Sequence, residues 1–146
     1  MPGKILEFMQ ANVGKSFGEY APPFSKFLNG RIISAEEGRV EFEFVAAPSM
    51  LNPVGAMHGG VHAAIIDEMT GLVVATLGEK YLYVSSNLHV DFFARILENE
   101  KIKAIATLVK RGKTIINAEC SIYNEKGVLA SKGICNLANT GIEMFI

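Results

Sequence analysis

The stretch from Asn52 to Gly78, NPVGAMHGGVHAAIIDEMTGLVVATLG, constrains this chain more than any other. It opens with turn residues, passes through His58-Gly59-Gly60 and becomes a long apolar run closed by Gly78. Val61, Ala64, Ile65, Met69, Leu72, Val73, Val74 and Leu77 cover more than one face of a helix, and a helix apolar nearly all round is buried. Glycine at each end fits a helix that starts after His58 and stops at Gly78. Asp67 and Glu68 interrupt the apolar run at its centre. A buried carboxylate is costly unless it is paired or hydrogen-bonded, so these two need a reason. One reading puts both in a single wet stripe, with one exposed and one buried at ~100° per residue. The other makes one of them part of a site.

Around this helix the hydrophobic period is two. RIISAEEGRVEFEFVAA reads as two strands joined at Glu36-Glu37-Gly38, with Val40, Phe42 and Phe44 alternating against Glu41 and Glu43. After Gly78, YLYVSSNLHVDFF places Leu82, Val84, Leu88, Val90 and Phe92 on one face, with Tyr83, Ser85, Asn87, His89 and Asp91 on the other. EKIKAIATLVK, TIINAECSIYN and KGVLASKGICNLAN complete the set, the last two joined by a hairpin at Asn124-Glu125-Lys126-Gly127. Near the N-terminus, KILEFMQANVGKSF predicts a short helix ending near Gly14, with Ile5, Phe8 and Met9 on one face. GEYAPPFSKF is expected to be a loop, because of Pro22-Pro23. The sum is an α+β chain, with about six antiparallel strands in a curved sheet wrapped around one long buried helix. At 146 residues it is expected to form a single domain, residues 1–146.

Charge and composition exclude several classes. The net charge of −1 supplies no field for nucleic acid or anionic lipid, so neither partner is expected. Residues 44–66 carry no charge, but Pro48, Pro53, Asn52 and three glycines among them argue against a membrane span. The N-terminus has no long apolar core and carries Glu7, unlike a signal peptide. Two cysteines, Cys120 and Cys135, fit free reduced thiols and a cytoplasmic setting. His58 and His62 are four apart, but the chain reads HGGVH rather than HExxH, so no metal is expected.

A helix N-terminus presents unpaired N–H groups and a partial positive charge, a place to stabilise a developing oxyanion. His58 and Asp67 lie nine positions apart, ~13 Å of rise and ~180° of rotation on one helix. They cannot act together within one chain. A shared site would combine two chains, most simply across a two-fold axis, with an edge strand such as YLYVSSNLHV pairing with its copy.

The combination in NPVGAMHGGVHAAIIDEMTG resembles the signature of hotdog-fold acyl-CoA thioesterases of the PaaI-like branch: an Asn, a Gly three on, His-Gly-Gly, and an acid seven residues after the second Gly. The resemblance runs from about Gly30 to Asn139. It implies a homodimer or homotetramer acting on acyl-CoA, with sites between subunits and no cofactor beyond the coenzyme A of the substrate. It implies that Asp67 is the general base or nucleophile and that the Gly59 N–H polarises the thioester carbonyl. Asn52 would orient the reacting groups, His58 would sit beside them, and Ser85 would position water. Asp67 and Ser85 would come from one subunit, and Asn52, His58 and Gly59 from its neighbour. Gly60 and the turn Lys110-Arg111-Gly112-Lys113 would contact substrate and CoA, clustered charge and turn N–H groups being suited to phosphate.

The chemistry agrees with these residue types. An Asp in a mostly apolar setting is poorly solvated as the anion and is a stronger base for it. No Gly-x-Ser-x-Gly elbow is present for an α/β-hydrolase. The alternatives are a hydroxyacyl-thioester dehydratase on the same fold, or a non-catalytic acyl-CoA-binding protein. The acyl group, aryl or fatty, is not legible in the residues.

Overall fold

A computed structural model of the protein describes residues 3–17 and 21–144. Three α-helices and six strands follow in the order α1 (Lys4–Ala11), α2 (Pro23–Leu28), β1 (Arg31–Glu36), β2 (Arg39–Val45), α3 (Gly59–Ala75), β3 (Tyr81–Phe92), β4 (Lys101–Arg111), β5 (Ile115–Tyr123) and β6 (Leu129–Glu143). A short 3-10 turn, Pro48–Met50, precedes α3. The strands form one antiparallel sheet in the order β1-β2-β4-β5-β6-β3. The sheet curves around α3, which packs against β2, β3, β4, β5 and β6. This is the hotdog architecture that the resemblance implies.

The core is the α3 face carrying Ile65, Ile66, Met69 and Val73 against Val40, Phe42, Phe44, Ile102, Ile116, Ile122 and Leu137 of the sheet. The alternation expected for β2 holds, with Val40, Phe42 and Phe44 buried. Where β6 crosses α3 its backbone packs tightly against the side chain of Ile66. A side chain at Gly133 would meet Ile66 Cγ2 at 2.7 Å and the His89 carbonyl at 3.1 Å, so only glycine fits there. The helix ends at Ala75, and Gly78 follows with φ of 67° in the left-handed region.

Three expectations are corrected. PFSKFL is a helix, not a loop: Pro23 sits at its first turn, where the missing N–H costs nothing, and left-handed Asn29 ends it. Residues 18–20 of the expected loop lie outside the described residues. The helix α1 stops at Ala11 and buries Leu6 and Met9, leaving Phe8 exposed. The strand β3 does not keep one face throughout. Its pairing with β6 shifts between Ser85 and Asn87, a bulge that inserts Ser86. Before the bulge Tyr83 and Ser85 point toward α3; after it Leu88 and Val90 do. Leu82 and Val84, expected in the core, are exposed. A one-residue slip exchanges the faces of a strand, and here it delivers a serine to the helix.

Among the described residues no helix is long and apolar enough to cross a membrane. Both cysteines are unpaired and buried.

Candidate active site

Asp67 lies on the part of α3 that one chain leaves open. It is exposed, and the small residues Gly60, Ala63, Ala64 and Gly71 near it on the helix are not fully buried either. The helix is therefore not covered all round by its own sheet, and within one chain the setting of Asp67 is not the mostly apolar one expected. Its Oδ1 accepts a 2.5 Å hydrogen bond from Ser85 Oγ. Ser85 Oγ in turn accepts from the thiol of Cys135, 3.3 Å away. Two of the expected residues thus meet across the α3–β3 contact. Cys135 stands behind them, and nothing in the sequence pointed to it.

At the other end of the site, His58 caps α3. Its Nδ1 accepts from Gly60 N–H at 2.8 Å. That bond occupies the Gly60 amide, whereas the Gly59 N–H meets no acceptor among the described residues. Gly59 rather than Gly60 therefore offers a free donor at the positive end of the helix. The ring of Phe92 approaches so closely that a Cβ at Gly59 would lie 3.3 Å from it.

Asn52 folds its own loop: its Oδ1 accepts from Val54 N–H at 3.1 Å and from Ala56 N–H at 3.0 Å. This leaves the amide nitrogen as its free donor. His62 is buried. Its Nδ1 lies 2.8 Å from Ser131 Oγ, its ring meets Phe92 edge-on, and burial holds its pKa below the usual histidine value. The two histidines thus serve different partners. Among the described residues no group of three or more His, Cys, Asp and Glu could hold a metal ion.

The turn at 110–113 lies at the C-terminal end of α3, remote from Gly59 within one chain. Arg111 is already engaged: its Nε donates to Glu79 at 2.8 Å, Glu37 stands 3.7 Å away, and Nη2 donates to the Leu77 carbonyl at 3.4 Å. The Gly112 N–H donates to the Ile115 carbonyl at 3.0 Å. The carbonyl of Lys113 accepts from Tyr83 Oη at 3.0 Å. The side chains of Lys110 and Lys113 are exposed and form no ion pair among the described residues.

Glu68 does not face open solvent. It is half-buried, and Ser25 of α2 donates to its Oε1 at 3.0 Å. Burial raises its pKa, the Ser25 hydrogen bond opposes that, and the neighbouring charge of Asp67 adds to it. The folded state therefore binds the Glu68 proton more tightly than the unfolded state. Its contribution to stability falls as pH rises through the window that starts at the ordinary glutamate value of about 4.5. Glu68→Gln should accordingly gain thermal stability relative to the parent as pH is raised above that value. Equal melting-temperature differences across the range would contradict this.

Comparison with known proteins bears on the fold and the family. The human acyl-coenzyme A thioesterase 13 is 24% identical over 103 residues, 70% of this chain and 74% of that protein. The PaaI protein of the E. coli phenylacetic acid degradation operon superposes with a TM-score of 0.75 at 21% identity, covering 82% of this chain and 85% of that one. A zebrafish thioesterase superfamily member 2 superposes with a TM-score of 0.78 at 21% identity, covering 92% and 95%. The sequence pattern of the thioesterase superfamily matches residues 54–131, a stretch that runs from the lead-in to α3 through the helix and on into β6. With more than half of its length so matched, the chain belongs to the thioesterase superfamily.

Proposed function

We propose that the protein hydrolyses acyl-CoA thioesters at sites formed between two copies of the chain. The observation that carries this is the Asp67–Ser85 pair on one flank of α3, with a Gly59 N–H at its N-terminus that is unpaired among the described residues. Asp67, oriented by Ser85, acts as general base on water or as nucleophile on the thioester carbonyl. The Gly59 N–H, aided by the Asn52 amide, stabilises the oxyanion. The helix is continuous from Gly59 through Asp67, so the offset of ~13 Å between His58 and Asp67 stands, and the partner's helix end is needed.

The edge strand β3 supports the two-chain reading. It is 12 residues long and pairs only with β6 among the described residues, and such an edge is a template for a second copy. A dimer built there would cover the open flank of α3 and supply the apolar surroundings that Asp67 lacks in one chain. Coenzyme A enters as part of the substrate, in keeping with a thioesterase from Streptococcus pneumoniae whose structure holds coenzyme A. Lys110 and Lys113, exposed and without an ion pair among the described residues, are the cations at the turn for its phosphates. The pair of buried, unpaired thiols suits a reducing compartment such as the cytoplasm.

The test is a hydrolysis screen over aryl-CoA and short, medium and long acyl-CoA esters, read as released thiol. Release of free CoA from at least one class is expected. If all are left intact while hydroxyacyl thioesters are dehydrated, the dehydratase reading replaces this one.

A further inference from the structure

A cavity of about 670 Å³ lies beside α3, walled by Ile5 and Phe8 of α1, Ser25 of α2 and Leu72 and Ala75 of α3. It shares Glu68, Gly71, Leu72 and Tyr83 with a smaller cavity of about 380 Å³ that contains Asp67 and Ser85. The two therefore adjoin each other, and the larger one lies next to where the reaction would take place. Its α1 and α2 walls lie outside residues 54–131, the stretch that the superfamily pattern matches.

Gly71 is the second observation. It stands mid-helix, one turn beyond Asp67, where glycine lowers helix stability relative to alanine. Nothing in the fold demands it, since a Cβ there would meet no atom within 4 Å. The space it leaves is cavity space. Glu68 is the sole carboxylate among the cavity's described lining residues, half-buried and fixed at its wall by Ser25, whereas Lys4, the sole cation among them, is exposed, where solvent screens its pull on an anion.

We propose that this cavity receives the acyl group, and that the substrate class is an uncharged, extended hydrocarbon acyl chain. This rests on the thioester-hydrolysis reading above. From Asp67 to Ala75 the helix rises ~12 Å, at ~1.5 Å per residue. An extended chain advances ~3.5 Å per three bonds, so about ten carbons fill that length. A single-ring aryl acyl group would leave the far half empty. Glu68 repels a chain that ends in a carboxylate.

The experiment measures kcat/KM for straight-chain acyl-CoA esters from acetyl to palmitoyl, for phenylacetyl-CoA, and for a dicarboxylic acyl-CoA of matched length. With the parent, kcat/KM should rise about four-fold per methylene until about ten carbons and then level off. The dicarboxylic ester should fall well below its neutral counterpart, and Glu68→Gln should narrow that gap. Gly71→Leu places a side chain one turn, ~5.4 Å, beyond Asp67, so the levelling-off should move to about five carbons. Gly71→Ala, which adds only a methyl group into open space, should shift it less. A flat length profile in an active parent overturns the cavity assignment and leaves thioester hydrolysis standing. So does a Gly71→Leu protein with the parental profile, or one whose native mass shows a broken assembly, since the space would then belong to a second copy. Failure to hydrolyse any ester overturns both.

Discussion

Asp67→Asn should lower acyl-CoA turnover by at least ~100-fold, the lower range for a lost acid–base group. The substitution keeps the size of the side chain and an oxygen to accept from Ser85 Oγ, now 2.5 Å from Asp67 Oδ1. It removes the charge and with it the base or nucleophile. Asp67 is exposed on α3 and its side chain holds no core contact, so the fold should survive the change. Steady-state kinetics on a protein with parental circular dichroism make the comparison. Near-parental turnover by a folded Asp67→Asn protein would end the mechanism proposed here.

The second large effect concerns assembly. Two inactive proteins, one with Asn52→Asp and one with Asp67→Asn, should regain activity when their subunits exchange. Asn52→Asp is preferable to Asn52→Ala because the Asn52 Oδ1 accepts the Val54 and Ala56 N–H groups that shape its loop. An Asp keeps those acceptors, removes the amide donor and places a negative charge beside the developing oxyanion, so it should abolish activity without unfolding the loop. In the mixed dimer one site collects both substitutions and the other is intact. Random exchange makes about half the dimers mixed, so roughly a quarter of all sites should recover, a consequence of two-fold symmetry. Exchange confirmed by mass with no return of activity would place both half-sites in one chain.

The elements of the fold were largely legible along the chain because each depends on local periodicity. The apolar run closed by Gly78 specified α3, and the alternation of Val40, Phe42 and Phe44 specified β2. The hairpin at residues 124–127 follows from Asn124, whose Oδ1 accepts from Lys126 and Val128 N–H, and from Gly127 at φ of 78°. The two-chain argument was also available in advance, since the offset between His58 and Asp67 depends only on helix geometry.

Other features were decided by partners far away in sequence. The bulge at Ser86 depends on how β3 registers against β6, and no local pattern encodes that register. It turns Ser85 toward Asp67, which the alternation of β3 alone would not have placed there. Ser25 reaches Glu68 across 43 positions, and Arg111 reaches Glu79 across 32. These pairings hold the half-buried Glu68 at a cavity wall and tie Arg111 to the segment that follows α3. What the sequence by itself determined is most of the elements, the polarity of their faces where one register holds, and the two ends of the proposed split site. Tertiary structure alone decided which side chains meet, because hydrogen bonds and ion pairs extend only about 3–4 Å and are made by packing, not by adjacency along the chain.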